Sequence, residues 1–356
     1  MRVEIVKTRK QVRDFLNLPV RIYKGNENYI PFPSRDILSA LRGETAVFRK
    51  DNSTHFIVSD GKKCVCRAGV YIKGGRGYFS LFECFNDNNA FNLLFERIVE
   101  WLSDRGISTL TGPESPFGGD NFRGVLLNKF NEPPVIFDNY NPPYYKSLFE
   151  DNGFKKEVDF YTYRFRVDDM DIERYERVAR RLEKRNGIKV EDVNQGNLTW
   201  ALGGIKRLFE EEGEGWFWGC MDDFLIKVKN YIELFGIGFI KVVKNKENRV
   251  IGFSFAIPDL NQLLRKKRIM GIFSRDRITS GRLYQIYVSK RFRKKGVFPL
   301  LVLSNVNTAR KFNIDIAYGG NVSEENREII LPITKLRGEK WKVFRLYSPK
   351  FSFKGK

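Results

Sequence analysis

The segment best suited to chemistry runs Leu283-Tyr-Gln-Ile-Tyr-Val288-Ser-Lys-Arg-Phe-Arg293-Lys-Lys-Gly296-Val-Phe298-Pro-Leu-Leu. An apolar strand pattern gives way to a basic turn, and a helical pattern follows. From residue 290 to 295 every position except Phe292 is basic. A strand–turn–helix of this kind aims successive backbone N–H groups at one point, and the helix N-terminus adds about half a positive charge there. Gly296 would let the backbone approach a ligand closely. A pyrophosphate suits such a site. A solvated basic turn ahead of an amphipathic helix accounts for the same residues, because short motifs are weak on their own.

Other reactive side chains are sparse. His55 is the only histidine, which excludes zincin motifs and makes any histidine-dependent triad depend on that residue. Its place in a strand pattern reads as a core or surface histidine. Glu210, Glu211, Glu212 and Glu214 precede Trp216-Phe-Trp218. The acidic run reads as a solvated helix face, and Trp216 and Trp218 could line an acceptor pocket or fill a core. Asp259 and Asn261 follow the second hairpin and read either as acceptor contacts or as turn and cap residues. Cys220 has no basic neighbour to activate it as a nucleophile.

The elements that must position these groups come from a chain of 356 residues, a length that predicts two domains at roughly 150 residues each. There are 63 lysines and arginines against 43 aspartates and glutamates, for a net charge of +20. That balance favours anionic partners or a lysine-rich solvated surface. Runs at residues 265–268 and 290–295 could meet nucleic acid, although no helix-turn-helix or zinc motif accompanies them. No apolar run reaches the ~18–20 residues of a membrane span. The N-terminal residues lack the apolar region of a signal peptide, so a cytoplasmic protein is expected. Cys64, Cys66, Cys84 and Cys220 then read as reduced, mostly buried thiols, and no metal site is expected.

Residues 55–72 read as a hairpin about Asp60-Gly61. A strand at 78–85 follows, then a helix with Phe91, Leu94, Phe95, Ile98, Val99 and Leu102 at helical spacing. Its N-cap falls among Asp87, Asn88 and Asn89. The second half repeats this order. It has a hairpin at 239–257, a strand at 283–288, a helix from about Pro299 to Phe312, a strand at 314–318, another helix, and a last strand at 341–347. Gly69 and Gly252 match across the halves, as do Gly153 and Gly338, which suggests an internal duplication. The boundary is expected between a domain of residues 1–167 and one of residues 168–356.

Hairpin, strand, basic Arg-x-x-Gly loop, helix, strand, helix, strand resembles the fold of the GNAT superfamily of N-acyltransferases. The segments Phe15-Leu-Asn-Leu-Pro-Val-Arg-Ile-Tyr, Tyr140-Asn-Pro-Pro-Tyr-Tyr145, Gly153-Phe, Ile257-Pro-Asp-Leu-Asn261 and Val288-x-x-x-Phe-Arg resemble a bacterial family of tandem GNAT proteins over nearly the whole chain. The resemblance implies two mixed-sheet α/β domains in tandem and acetyl-CoA or another acyl-CoA as co-substrate. It implies a small-molecule amine or amino-acid-like acceptor. The superfamily's signature, Gln/Arg-x-x-Gly-x-Gly/Ala, places Arg293, Gly296 and Phe298 at its fixed positions, Phe298 departing from the small residue expected there. Ile286, Val288, Lys294, Lys295 and Val297 complete the cofactor-binding set that the resemblance implies. A backbone N–H near Val288 would polarise the thioester. Asp259 and Asn326 are the catalytic candidates, with Asn261, Trp216 and Trp218 around the acceptor. The first half carries Phe85-Asn-Asp-Asn-Asn89 where the loop would be. There Asp87 would compete with phosphate, so the first domain is expected not to bind CoA. Two alternatives remain: an aminoacyl-tRNA-dependent transferase of the Fem type, and a non-catalytic binding protein on a GNAT scaffold.

Overall fold

The computed structural model describes residues 1–119, 121–212, 239–270 and 278–350. The chain divides into two compact units, Met1–Tyr161 with the chain from Lys342 onward, and Thr162–Trp341. Unit 1 therefore receives the end of the chain, where a simple cut at 167/168 was expected.

Unit 1 is built from β1 (Arg2–Ile5), α1 (Arg9–Ile22), α2 (Ser34–Leu41), β2 (Ser53–Asp60), β3 (Lys63–Lys73), β4 (Arg76–Cys84), α3 (Asn88–Ser103), β5 (Leu110–Thr111), β6 (Val125–Leu126) and α4 (Tyr145–Asp151). Its sheet order is β1-β2-β3-β4-β5. All neighbours are antiparallel except β4 and β5, which are parallel and so require the crossover helix α3. The expected hairpin turns at Gly61 with φ +55°. Helix α3 starts behind Asp87 and buries Phe91, Leu94, Phe95, Ile98 and Leu102, the residues its periodicity assigned inward. Phe91 and Phe95 meet Phe149 and Phe154 at centroid distances of 5.1 and 4.7 Å, so aromatic edges fill this core. Helix α1 opens on a capping box between Thr8 and Gln11.

Strand β7 (Phe154–Arg166) leads to unit 2. There follow α5 (Glu173–Asn186), β8 (Lys189–Asp192), α6 (Leu198–Glu212), β9 (Ile240–Lys244), β10 (Val250–Pro258), α7 (Asn261–Met270), β11 (Ser280–Val288), α8 (Val297–Lys311), β12 (Ile316–Ser323), α9 (Arg327–Lys335) and β13 (Glu339–Pro349). The strands β8-β9-β10-β11-β12 lie in that order. Again all are antiparallel except the β11/β12 pair, which helix α8 connects. The strand order of unit 1 thus recurs in unit 2, each set closed by one parallel pair joined through a helix. From Lys342 on, β13 belongs to unit 1, where Phe344 and Arg345 pair with Leu126 and Val125 of β6.

Helix α8 begins at Val297, ahead of the expected Pro299. Pro299 sits in the first turn, where its missing N–H leaves no helical bond unmade. The helix buries Val297, Leu300, Leu301, Val302 and Val306. With Val243, Ile251 and Val288 of the sheet and Ala179 and Leu182 of α5 they make the core beneath the basic loop.

Candidate functional site

Strand β11 has two different edges. Its ladder with β10 runs from Gly281 to Val288, opposite Pro258 to Gly252. Its ladder with β12 runs only from Ser280 to Leu283, opposite Ile316 to Gly319. Beyond Leu283 the paired strands part, while β10 still holds the other side. The register also shifts there: Ala256 faces Leu283 and Phe255 faces Gln285, which leaves Tyr284 as a bulge residue. Bulges re-aim side chains and are common beside active sites. Ile286 and Val288 lie on this diverging stretch, and both join the core with α8.

The chain then turns through a short 3₁₀ segment, Lys290–Phe292. Arg293 Nε donates to the Val288 carbonyl at 3.3 Å, which folds the loop back over the strand end. Arg291, Arg293, Lys294 and Lys295 are exposed. Gly296 has φ +88° and stands at the N-cap of α8 with no side-chain cap. The N–H groups of Gly296, Val297 and Phe298 have no acceptor among the described residues. Three open N–H groups, a helix of 15 residues behind them and basic side chains around them are the features by which a helix start can receive an anion. The N–H of Phe298 is a backbone group, so its large side chain does not remove it. The absent Cβ of Gly296 has a different reason from the one expected. A Cβ there would lie 2.5 Å from Leu182 Cδ1 and 2.7 Å from Val178 Cγ1 of α5. The glycine is required by its left-handed backbone and by α5 packing on it, not by ligand approach from that side.

Glu212 corrects the reading of the acidic run as a solvated face. Glu210 and Glu211 are exposed. The Glu212 carboxylate instead accepts from Tyr287 Oη at 3.1 Å, Ser289 Oγ at 2.6 Å and the Lys290 N–H at 3.0 Å. One turn earlier Phe209 stacks on the Tyr287 ring at 5.5 Å. Residues i and i+3 of α6 therefore hold the ring and the hydroxyl of one tyrosine. The sequence signal was faint, a carboxylate three residues after a core phenylalanine.

The remaining candidates fall at helix starts. Asp259 is buried; its Oδ2 accepts from Ser280 Oγ at 3.2 Å and its Oδ1 from the Asn261 N–H at 3.2 Å, the geometry of a turn into α7. Asn326 is the N-cap of α9 and accepts from the Ile329 N–H at 3.3 Å. Trp216, Trp218 and Cys220 lie outside the described residues. His55 is buried between Phe15 and Phe48, and burial lowers its pKa to about 3. Cys64, Cys66 and Cys84 are free and buried. Among the described residues no three His, Cys, Asp or Glu side chains cluster as a metal site, and no helix is long and apolar enough to cross a membrane.

Unit 1 fills the equivalent places with its own groups. Asp87 Oδ1 accepts from the Ala90 N–H at 3.0 Å and so caps α3. Past Thr111, where the β4/β5 ladder ends, Tyr144 Oη donates to the Cys84 carbonyl at 2.8 Å and Tyr145 Oη accepts from the Cys84 N–H at 2.9 Å. Tyr145 and Tyr23 also donate to Glu83, at 2.8 and 3.0 Å. Burial, the largest influence, raises the Glu83 pKa to about 7 against these two donors and Arg67, which lower it.

No protein-family model matches the chain. A bacterial ceramide synthase of Caulobacter vibrioides is 27% identical over 169 residues, 45% of this chain and 44% of that protein. The match thus spans less than half the length of the relative. Among solved structures, a tandem GNAT protein from the clavulanic acid biosynthesis pathway covers 99% of both chains at TM-score 0.57 and 11% identity. A fungal glucosamine N-acetyltransferase region of a multi-domain β-N-acetylglucosaminidase covers 98% of this chain and 38% of its own at TM-score 0.56 and 13% identity. The fold is a mixed α/β fold of the tandem GNAT type.

Proposed function

We propose that unit 2 binds an acyl-CoA and transfers its acyl group to an amine. The observation that carries this reading is the uncapped N-terminus of α8, which follows the stretch of β11 that β12 no longer pairs. The open N–H groups of Gly296, Val297 and Phe298 would receive the pyrophosphate, with Arg293, Lys294 and Lys295 supplying charge. The acyl arm would then run along the diverging stretch of β11 past Val288 and Ile286, in the gap that β12 leaves. The amine nitrogen attacks the thioester carbonyl, a C–N bond forms and the C–S bond breaks. The amine gives up one proton and the CoA thiolate takes one up. The chain's contribution is orientation and polarisation of the carbonyl by backbone N–H groups. In this reading Asp259 fixes Ser280 and the start of α7 at the acceptor end, and Asn326 shapes the start of α9.

For the acceptor we propose a long-chain amino alcohol or similar amine. A ceramide is an N-acylated long-chain amino alcohol, and likeness to a ceramide synthase supports that chemistry. Unit 1 is proposed not to bind CoA, because Asp87 caps its helix and Tyr144 and Tyr145 occupy its strand edge.

The test is release of free CoA thiol from acetyl-CoA and a long-chain acyl-CoA, each with a short amine and with a long-chain amino alcohol. Release that requires the amine supports the reading, and a long-chain amine should be the better acceptor. No amine-dependent release with any pair would overturn it.

A further inference from the structure

Glu212 poses a question that the acyl-CoA reading does not answer. It is an acid beside a loop whose proposed ligand is an anion. Attraction of phosphate does not explain a carboxylate at this place.

Its hydrogen bonds do explain it. The three donors come from the last residues of β11 and the first of the loop: Tyr287 Oη, Ser289 Oγ and the Lys290 N–H, at 3.1, 2.6 and 3.0 Å. The turn then continues from those two loop residues, since Phe292 N–H donates to the Ser289 carbonyl at 2.8 Å and Arg293 N–H to the Lys290 carbonyl at 3.3 Å. Arg293 returns to Val288 and lies 5.9 Å from the Tyr287 ring centroid. The near end of the loop is thus tied to α6, and the far end presents the open N–H groups. Three residues before Glu212 on α6, Phe209 packs on Tyr287 and Phe253 at 5.5 and 5.6 Å.

We propose that Glu212 is a positioning residue for the phosphate loop: it fixes the loop's near end so that the N–H groups at residues 296–298 point at one site. The inference rests on the acyl-CoA reading. It makes a prediction opposite in sign to charge alone. Removing an acid near a phosphate site should tighten anion binding through charge. Removing a tether should weaken it, because loop ordering must then come out of the binding free energy.

The experiment is isothermal titration of the full chain with CoA, on wild type, Glu212→Ala, Glu212→Gln, Ser289→Ala and Tyr287→Phe. Glu212→Ala should bind about tenfold more weakly, as expected for loss of charge-assisted hydrogen bonds. Glu212→Gln keeps an acceptor and should recover most of that loss. Ser289→Ala and Tyr287→Phe each remove one donor and should weaken binding about threefold, so they carry the test if Glu212→Ala does not fold. Wild type that binds CoA, with Glu212→Ala or both single-donor variants unchanged or tighter, would overturn the inference alone. Wild type that does not bind CoA would overturn the acyl-CoA reading and this inference with it.

Discussion

Replacing Gly296 by alanine tests the packing beneath the loop. At φ +88° an L-residue is strained, at about 1–2 kcal/mol. The new Cβ would also meet Leu182 Cδ1 at 2.5 Å and Val178 Cγ1 at 2.7 Å, distances that force those side chains of α5 to move. Overpacking of this kind costs about 1–3 kcal/mol. Together the two effects predict a loss of about 2–5 kcal/mol. At a urea m value of about 2 kcal/mol/M the unfolding midpoint would fall by about 1–2.5 M. Leu182→Ala alone should also destabilise, because it leaves a cavity beside Leu300 and Leu301. The double variant Leu182→Ala/Gly296→Ala should be more stable than the sum of the two losses by about 1–2 kcal/mol, since one substitution relieves the clash of the other. Urea unfolding of all four proteins measures this cycle. Strict additivity, or a Gly296→Ala loss below about 0.5 kcal/mol, would refute the claim that α5 is why this position is glycine. A Gly296 variant that fails to bind CoA would then report lost packing as readily as a lost site, so exposed side chains are the better probe of binding.

Lys295→Glu alters an exposed residue, so stability should stay within about 0.5 kcal/mol while CoA binding weakens, most at low salt; calorimetry at two ionic strengths checks both. Asp87→Ala removes the cap of α3 and should cost about 1 kcal/mol by urea unfolding. Glu83 has its pKa raised from 4.5 to about 7, so the folded chain holds a proton the unfolded chain has lost across that window. Its contribution to stability should fall as pH rises from about 4.5 to about 7, by about 3 kcal/mol in all, and Glu83→Gln should flatten that slope. His55, lowered from 6.5 to about 3, works in the opposite direction: stability should be lost as pH falls below about 6.5, and His55→Phe should remove that part of the acid sensitivity.

The recurring strand order was legible because it lies in local signals. Turn dipeptides, strand alternation and the spacing of Phe91, Leu94, Phe95 and Ile98 each depend on neighbours in sequence. The basic loop was legible for the same reason, as was Asp87 at the rival helix start. What the sequence could not show depends on distant partners. Besides its left-handed backbone, the reason for glycine at 296 is the packing of Leu182 and Val178, on a helix more than a hundred residues earlier. Glu212 looked like its neighbours Glu210 and Glu211 until Tyr287 and Ser289 were placed beside it. Asp259 reads equally well as a catalytic residue or a turn residue in one dimension, and its hydrogen bond to Ser280 joins residues 21 apart. The return of the C-terminal strand to unit 1 is a matter of long-range pairing between Phe344 and Leu126, for which no local residue pattern exists.

The central claim is that one helix start in this chain receives an acyl-CoA and its counterpart does not. Calorimetric titration of the full chain with CoA tests it most directly, on wild type, Lys294→Glu/Lys295→Glu and Asp87→Ala. The account predicts one CoA per chain, binding lost with the loop charges reversed, and binding unchanged without Asp87. No binding, two equivalents per chain, or binding indifferent to the loop reversal would contradict it.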